Sequence, residues 1–210
     1  MRGFEFGARL AAMVAAFGLV FAIAATPASA DDGARAFTQS LIDRGFVILR
    51  DAGADEATKV RRFEAFIVEH MDARKTALFT LGNYRRGAPQ GVVDPFVEAF
   101  TQYATAIYGA HLVDYSQATL RVTGDIENKP GDVTVMTLAE GAGLREPLRI
   151  AFRLNTAGGT YKIIDVQVEG IWLSVEQRSQ FASTLGQTKG DIASLTAALK
   201  NRTARLRNGG

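Results

Sequence analysis

The spacing of apolar residues changes once along the chain after residue 30. Over residues 31–115 they recur three or four positions apart, as in Val60, Phe63 and Ile67, and this spacing predicts helices. Over residues 118–169 apolar residues alternate with polar or small ones, and this alternation predicts four β-strands. The chain therefore divides into a helical part and a sheet.

Short glycine-containing turns separate the predicted strands and leave no room for crossover helices. The strands are therefore expected to run antiparallel as a meander. Gly170 marks the return to helical spacing, and a β-branched residue would be strained there if the turn needs positive φ. The whole pattern predicts an α+β fold, in which a curved four-stranded antiparallel meander is covered on one face by helices.

The first 30 residues have the features of a cleavable signal peptide. Arg2 and Arg9 give a basic start, residues 10–25 form an uncharged apolar run, and Ala28-Ser29-Ala30 is an A-x-A cleavage site. The alternative, a permanent anchor, is disfavoured because a membrane span usually needs ~20 apolar residues. We expect an exported chain that begins after residue 30 and forms a single domain over residues 31–206.

Composition excludes several other classes. The chain has no cysteine, so no disulfide stabilises the exported domain and no lipidated cysteine anchors it. Cleavage would remove two arginines and one glutamate, which lowers the net charge from +2 to +1. Because phosphate neutralisation needs a basic surplus, we expect no nucleic acid partner.

Catalytic and metal-binding motifs are weak or absent in the sequence. There is no G-x-S-x-G elbow, phosphate loop or H-E-x-x-H motif, and His70 and His111 stand apart from other potential ligands. Asp165 and Glu169 lie four residues apart on a predicted strand and share a face. The two carboxylates form either an acid/base pair or a pair on the solvent face of the strand. A third interpretation concerns Asp165 alone, as a buried carboxylate bonded to the neighbouring turn.

An aromatic stripe runs along one predicted helix, where Phe96, Phe100, Tyr103 and Ile107 fall on the same face. Such a stripe forms either one wall of a ligand pocket or an ordinary core.

Several motifs resemble the MlaC or toluene-tolerance family from about Ala34 to Leu199. The most specific is D-V-x-V-E-G followed by R-S-Q-F. The motifs are Leu81-Gly-Asn-Tyr84, a following helix with Phe96 and Phe100, Tyr108-x-x-x-Leu112-x-x-Tyr115, Tyr161-Lys-Ile-Ile-Asp-Val-Gln-Val-Glu-Gly170 and Gln177-Arg-Ser-Gln-Phe181.

The resemblance implies a periplasmic protein that carries lipids between the two membranes of Gram-negative bacteria. It implies an apolar pocket for acyl chains, with an inner-membrane ABC transporter complex and an outer-membrane lipoprotein complex as partners. Phospholipid is the expected ligand, and no other cofactor is expected. The Gln177-Arg178 pair is similar to a branch associated with hopanoid gene clusters, which makes a hopanoid the alternative ligand.

The predicted lipid contacts come from both parts of the chain: Leu81, Tyr84, Phe96, Phe100, Tyr103, Tyr108, Phe152, Val166, Val168 and Trp172. Arg85 and Arg86 are predicted to contact head groups or partners. Two positions depart from the family: Arg85 replaces a common tryptophan, and Trp172 replaces a small residue. Trp172 either gates the pocket or fills a gap between the last strand and the helix that follows. A small isomerase or dehydratase using Asp165 is the alternative function.

Overall fold

The protein is described by a computed structural model over residues 31–112, 116–141 and 144–208. The predicted signal peptide and Tyr115 lie outside these residues. Within them the chain forms six α-helices and five strands. The helices are α1 (Asp32–Leu49), α2 (Glu56–His70), α3 (Ala73–Leu81), α4 (Gln90–Leu112), α5 (Leu173–Gln187) and α6 (Ile192–Arg207). The strands are β1 (Ala118–Lys129), β2 (Asp132–Gly141), β3 (Leu148–Asn155), β4 (Lys162–Val168) and β5 (Ile171–Trp172).

Aspartates fix where four of the helices begin. α1, α2, α3 and α6 each follow an aspartate, and its carboxylate accepts a hydrogen bond from a backbone N–H of the first turn. Such a cap typically stabilises a helix by ~1 kcal/mol, because the first N–H groups have no partner within the helix. The capping residues are Asp31, Asp55, Asp72 and Asp191.

The sheet is an antiparallel meander with the strand order β1-β2-β3-β4-β5. This arrangement confirms the predicted α+β fold and the meander. The sequence analysis missed β5, in which Trp172 pairs with Gln167 and Ile171 pairs with Val168. A strand of two residues is too short to show an alternating pattern, so it was assigned to the turn before the helix.

The β4–β5 connection is a two-residue turn in which both residues have positive φ. Glu169 has a φ of 46° and Gly170 a φ of 85°. Two positive φ values are typical of the type I′ turn, whose twist matches that of the paired strands. The turn reverses the chain and places β5 directly before α5.

We expect Gly170→Val to lower the free energy of unfolding by about 1–3 kcal/mol, because a β-branched residue is strained at positive φ. A Cβ at this position would meet no atom within 4 Å, so we expect the loss to come from backbone strain. Urea denaturation measures the change. Gly91→Val is the matched control, since that glycine is equally open but lies in α4 without positive φ. Equal stability of the two variants would contradict the prediction.

Strand β1 lies at one edge of the sheet and is irregular. Its register with β2 shifts between Val122 and Gly124 and again between Glu127 and Lys129. A side chain of α1 and that of its C-cap residue also reach its backbone. The Val122 N–H donates to the Gln39 side chain at 3.0 Å, and the Arg50 guanidinium donates to the Ala118 carbonyl at 2.7 Å.

The apolar core has two parts. A larger cluster joins α3, α4, α5 and α6, and a smaller one joins the start of α1 to the sheet. None of the described helices has the length and apolar character needed to cross a membrane. The large cluster includes Leu81, Phe96, Phe100, Tyr103, Phe181, Leu185, Leu195 and Leu199, and the small one includes Ala34, Val133, Val135 and Leu154.

Candidate functional site

An apolar cavity of about 370 Å³ lies between the sheet and helices α1, α2, α4 and α5. Its size is within the range of small-molecule binding sites. The helical wall is almost entirely hydrocarbon and aromatic. It is formed by Leu41, Ile42, Phe46, Leu49, Phe63, Phe66, Ile67, Phe100, Ala104 and Leu173.

The sheet supplies the opposite wall from one face of neighbouring strands. Ile150 pairs with Val168 and Phe152 pairs with Val166, so these four side chains of β3 and β4 project toward the cavity together. Leu120, Ala139 and Leu148 extend this wall along β1, β2 and β3.

Gly45 allows α1 and α2 to approach closely at the cavity. A Cβ at this position would lie 3.3 Å from a Phe63 ring carbon and 3.7 Å from a Phe66 ring carbon. Because α1 has no side chain there, both aromatic rings pack against its backbone. The rings themselves are tilted, with centroids 6.2 Å apart.

Few polar groups line the cavity, and most of them have partners in the protein. The Thr76 hydroxyl donates to the Ile164 carbonyl at 2.8 Å. The Thr38 hydroxyl is buried and has no hydrogen-bond partner among the described residues. The cavity therefore suits an apolar ligand, because it offers few positions that would bind a polar one.

His70 lines the cavity at the end of α2, where polar partners in the protein hold its ring. Its Nε2 lies 3.0 Å from an Arg44 guanidinium nitrogen, and its Nδ1 lies 2.7 Å from the Phe66 carbonyl oxygen. Since a guanidinium only donates and a carbonyl only accepts, Nε2 accepts and Nδ1–H donates. Both ring nitrogens are thus occupied. Within the described residues, no three His, Asp or Glu side chains are grouped to hold a metal.

Asp165 connects the last long strand to the start of α5. Its Oδ1 accepts hydrogen bonds from the backbone N–H groups of Val166 at 2.9 Å and Ser174 at 3.1 Å, and its Oδ2 accepts from the Ser174 hydroxyl. Burial raises the pKa of Asp165, and the hydrogen bonds from Ser174 oppose that shift. Trp172 provides no side-chain cap for α5, so Asp165 caps the helix from the sheet.

Glu169 has separate partners from Asp165. Its carboxylate accepts from the Arg149 backbone N–H at 2.6 Å and pairs with the Arg149 guanidinium at 3.0 Å. The bonds from Arg149 lower the pKa of Glu169, which is exposed. The geometry therefore favours the interpretation of Asp165 as a buried carboxylate bonded to the neighbouring turn over that of an acid/base pair.

The predicted lipid contacts fall into distinct places. Phe100, Phe152, Val166 and Val168 line the cavity. Two further α4 residues of the prediction pack elsewhere, because α6 packs against the aromatic face of α4. Leu81, Phe96 and Tyr103 lie in the large helical cluster, with the Phe96 and Phe100 rings packed edge-on against Phe181.

The remaining predicted residues lie outside the cavity wall or outside the described side chains. Tyr84, Arg85 and Arg86 are exposed around the short 3₁₀ turn after α3. Trp172 is half-buried beside Gln167 of β4 and does not line the cavity. Tyr108 belongs to α4, but its side chain is outside the described part. Lipid contact at each position stays a prediction, as do both roles of Trp172.

The sequence analysis missed the contribution of α1 and α2 to the cavity. Leu41, Gly45 and Leu49 are four residues apart, and so are Phe63 and Ile67, so each set forms a stripe on one helix face. This periodicity was visible and was used only to predict helices. A stripe shows which face is apolar but does not show whether that face meets another element or a cavity.

The fold is that of a known phospholipid-binding protein. A solved structure of the phospholipid-binding protein from Ralstonia solanacearum, in complex with a phospholipid at 1.53 Å resolution, superposes with a TM-score of 0.72. The sequences are 21% identical, and the match covers 82% of this chain and 98% of that chain. A comparison with curated proteins found no match.

The model of the MlaC protein family matches residues 39–201, and the chain belongs to this family. The resemblance inferred from the sequence motifs is thereby confirmed. Membership places the chain among non-enzymatic proteins, which excludes the alternative of a small isomerase or dehydratase using Asp165.

Proposed function

We propose that the protein is a periplasmic lipid carrier that holds the apolar part of one lipid in the cavity between its sheet and helices. The observation that carries this proposal is the cavity itself, which is lined by hydrocarbon and aromatic side chains from both parts of the fold. Membership of the MlaC family supports the same function.

The energetics of lipid transfer require such an enclosure. Each methylene withdrawn from water contributes ~0.8 kcal/mol, so two acyl chains with ~30 methylenes represent roughly 20 kcal/mol of unfavourable hydration. A carrier therefore has to shield most of this surface. An open apolar groove would leave much of the lipid in water and would also promote aggregation.

Phospholipid is the proposed cargo, because the protein from Ralstonia solanacearum with the same fold was solved with a phospholipid. A hopanoid is the alternative, suggested by the Gln177-Arg178 pair. Gln177 lines the cavity, while the Arg178 guanidinium lies 5.1 Å from the centroid of the exposed Phe79 ring. A hopanoid is a rigid polycyclic molecule and a phospholipid has two flexible acyl chains. The two ligands differ in mass, so the mass of the extracted ligand distinguishes them.

We further propose that the exported protein moves lipid between an inner-membrane ABC transporter complex and an outer-membrane lipoprotein complex. Arg85 and Arg86 are the proposed contacts for head groups or these partners. Both are exposed and follow the exposed ring of Tyr84, so they present two cations beside an aromatic surface.

The direct experiment is to purify the protein from the periplasmic fraction, extract it with organic solvent and identify the bound lipid by mass spectrometry. We expect close to one lipid per protein. Delipidated protein that takes up no labelled phospholipid or hopanoid would contradict the proposal. Transfer of labelled lipid from donor to acceptor vesicles then tests carriage separately from binding.

We expect Ile150→Trp to lower lipid occupancy several-fold, because an indole at this position would fill space that the lipid needs. Arg149→Trp is the matched control, since Arg149 neighbours Ile150 on β3 but is exposed at the surface. Occupancy is measured by extraction, with the melting temperature of each variant recorded. Equal occupancy in both folded variants would show that the lipid does not lie against this wall.

A further inference from the structure

We propose that the carboxylate of Asp125 is a built-in acceptor for the α-ammonium group that signal-peptide cleavage creates on Asp31. The proposal rests on the predicted cleavage after Ala30 and is independent of lipid binding. It assigns a role to a buried carboxylate of the sheet that the cavity does not use.

The geometry places the backbone nitrogen of Asp31 directly on this carboxylate. The nitrogen lies 2.8 Å from Oδ2 of Asp125, although 94 positions separate the two residues. The Asp125 side chain is only 2% exposed. Its Oδ1 lies 3.5 Å from Nε of Arg35, which also pairs with the exposed Asp32. The buried carboxylate thus shares its single described cation with a second acid.

Asp31 itself is fixed in position by two further groups. Its carboxylate accepts from the Ala34 N–H at 2.9 Å, which caps α1, and from the Tyr161 hydroxyl at 3.1 Å. Tyr161 packs so closely on the first turn that a Cβ on Gly33 would lie 2.2 Å from its hydroxyl oxygen. The nitrogen of Asp31 is therefore held at Asp125 by the helix cap and by the tyrosine.

Cleavage changes the charge of this nitrogen. Water adds across the Ala30–Asp31 peptide bond: its oxygen bonds to the Ala30 carbonyl carbon, the C–N bond breaks, and Asp31 retains the nitrogen. At neutral pH the products are a carboxylate on Ala30 and an ammonium on Asp31. An amide N–H donating to Asp125 thus becomes a charged donor, and charge-assisted hydrogen bonds are roughly twice as strong as neutral ones.

The helix dipole acts against this charge, and the local carboxylates act in its favour. A cation at a helix N-terminus is disfavoured by the aligned peptide dipoles. Three carboxylates, those of Asp31, Asp32 and Asp125, lie at this end of α1, whereas Arg35 is the one cation there within the described residues that pairs with them. The ammonium therefore enters a site with surplus negative charge, and the processed chain is expected to be more stable than any form with a blocked terminus.

The test compares three forms of the delipidated protein: one that begins at Asp31, the same chain with an acetylated α-amino group, and one extended by Ala28-Ser29-Ala30. Acetylation removes the charge but keeps the N–H donor. We expect the free Asp31 form to melt about 2–8 °C above both others. Asp125→Asn should abolish the difference, while Asp43→Asn, at an exposed position further along α1, should retain it. Equal melting temperatures for the free and acetylated forms would overturn the proposal.

A second measurement applies even where Asp125→Asn fails to fold. An ammonium bound by a carboxylate loses its proton less readily, and a rise of one pKa unit makes the reactive free amine about tenfold rarer. The α-amino group of the folded protein should therefore react with an amine reagent on the order of tenfold more slowly than that of the urea-unfolded chain. Equal rates would contradict the proposal, as would a first residue other than Asp31 in protein recovered from the periplasm.

Discussion

Replacing Phe96 with alanine should lower the free energy of unfolding by about 3–5 kcal/mol, which is a large fraction of the 5–15 kcal/mol typical of a domain. Phe96 is fully buried among α3, α4 and α5, with its ring centroid 6.1 Å from that of Phe181. Truncation removes these contacts and leaves a void that rigid helix packing cannot close. Urea denaturation followed by circular dichroism measures the loss.

Phe100→Ala is the matched comparison, because Phe100 lies one helical turn further along and contacts both Phe181 and the cavity. We expect it to destabilise the protein as well, and also to enlarge the cavity and shift the extracted lipids toward bulkier species. Phe96→Ala should leave the lipid profile unchanged. A changed profile in Phe96→Ala alone would show that the larger cluster, rather than the cavity, contacts the lipid.

Asp132→Asn should lower the free energy of unfolding by about 2–3 kcal/mol at neutral pH, because it breaks a charge-assisted pair. The Arg153 guanidinium donates to both carboxylate oxygens of Asp132, at 2.8 and 2.6 Å, and Asn128 donates a third bond at 3.0 Å. Glu140→Gln is the control on the same strand. Its pair with Arg121 is exposed at both ends and should contribute less than ~1 kcal/mol.

The contribution of Asp132 should depend on pH with a definite sign. The hydrogen bonds from Arg153 hold the pKa of Asp132 below its usual value. A depressed native pKa adds stability that is present above the unfolded pKa of ~3.9 and is lost as the pH falls through the native one. The difference between wild type and Asp132→Asn should therefore be constant near neutrality and shrink below about pH 4. A difference that stays constant into acid would show that the charge of Asp132 is not involved.

The sequence predicted the elements well where periodicity and turn chemistry agreed. Alternation gave the four long strands, and the short turns between them gave the antiparallel order. Gly170 marked a turn that does have positive φ. The sequence did not predict β5, because its two residues, Ile171 and Trp172, are too few to show an alternating pattern. They form a strand only by pairing with β4.

The composition of the cavity wall was harder to predict than the fold. The aromatic stripe of α4 was visible in the sequence. Which of its residues face the cavity depends on α6, a helix near the C-terminal end of the chain that packs against the stripe. Phe96 and Tyr103 therefore lie in the helical cluster, and Phe100 reaches the cavity. Such a division is set by tertiary packing, and no single segment encodes it. The strand residues Phe152, Val166 and Val168 were easier to predict as part of the cavity wall, because the alternating pattern already assigned them to one face of the sheet.

The structure of the two sheet edges bears on whether the protein aggregates at high concentration. An exposed edge strand can template the addition of a strand from another molecule, which leads to aggregation. Here the β1 edge has two register shifts, and its backbone is engaged by Gln39 and Arg50. On the opposite side β5 covers the end of β4, and the Asp72 N–H and the Thr76 hydroxyl donate to the Ile163 and Ile164 carbonyls of β4. Under the proposed function, apolar surface is exposed when lipid enters and leaves the cavity, and these sheet edges then offer other chains little backbone to pair with.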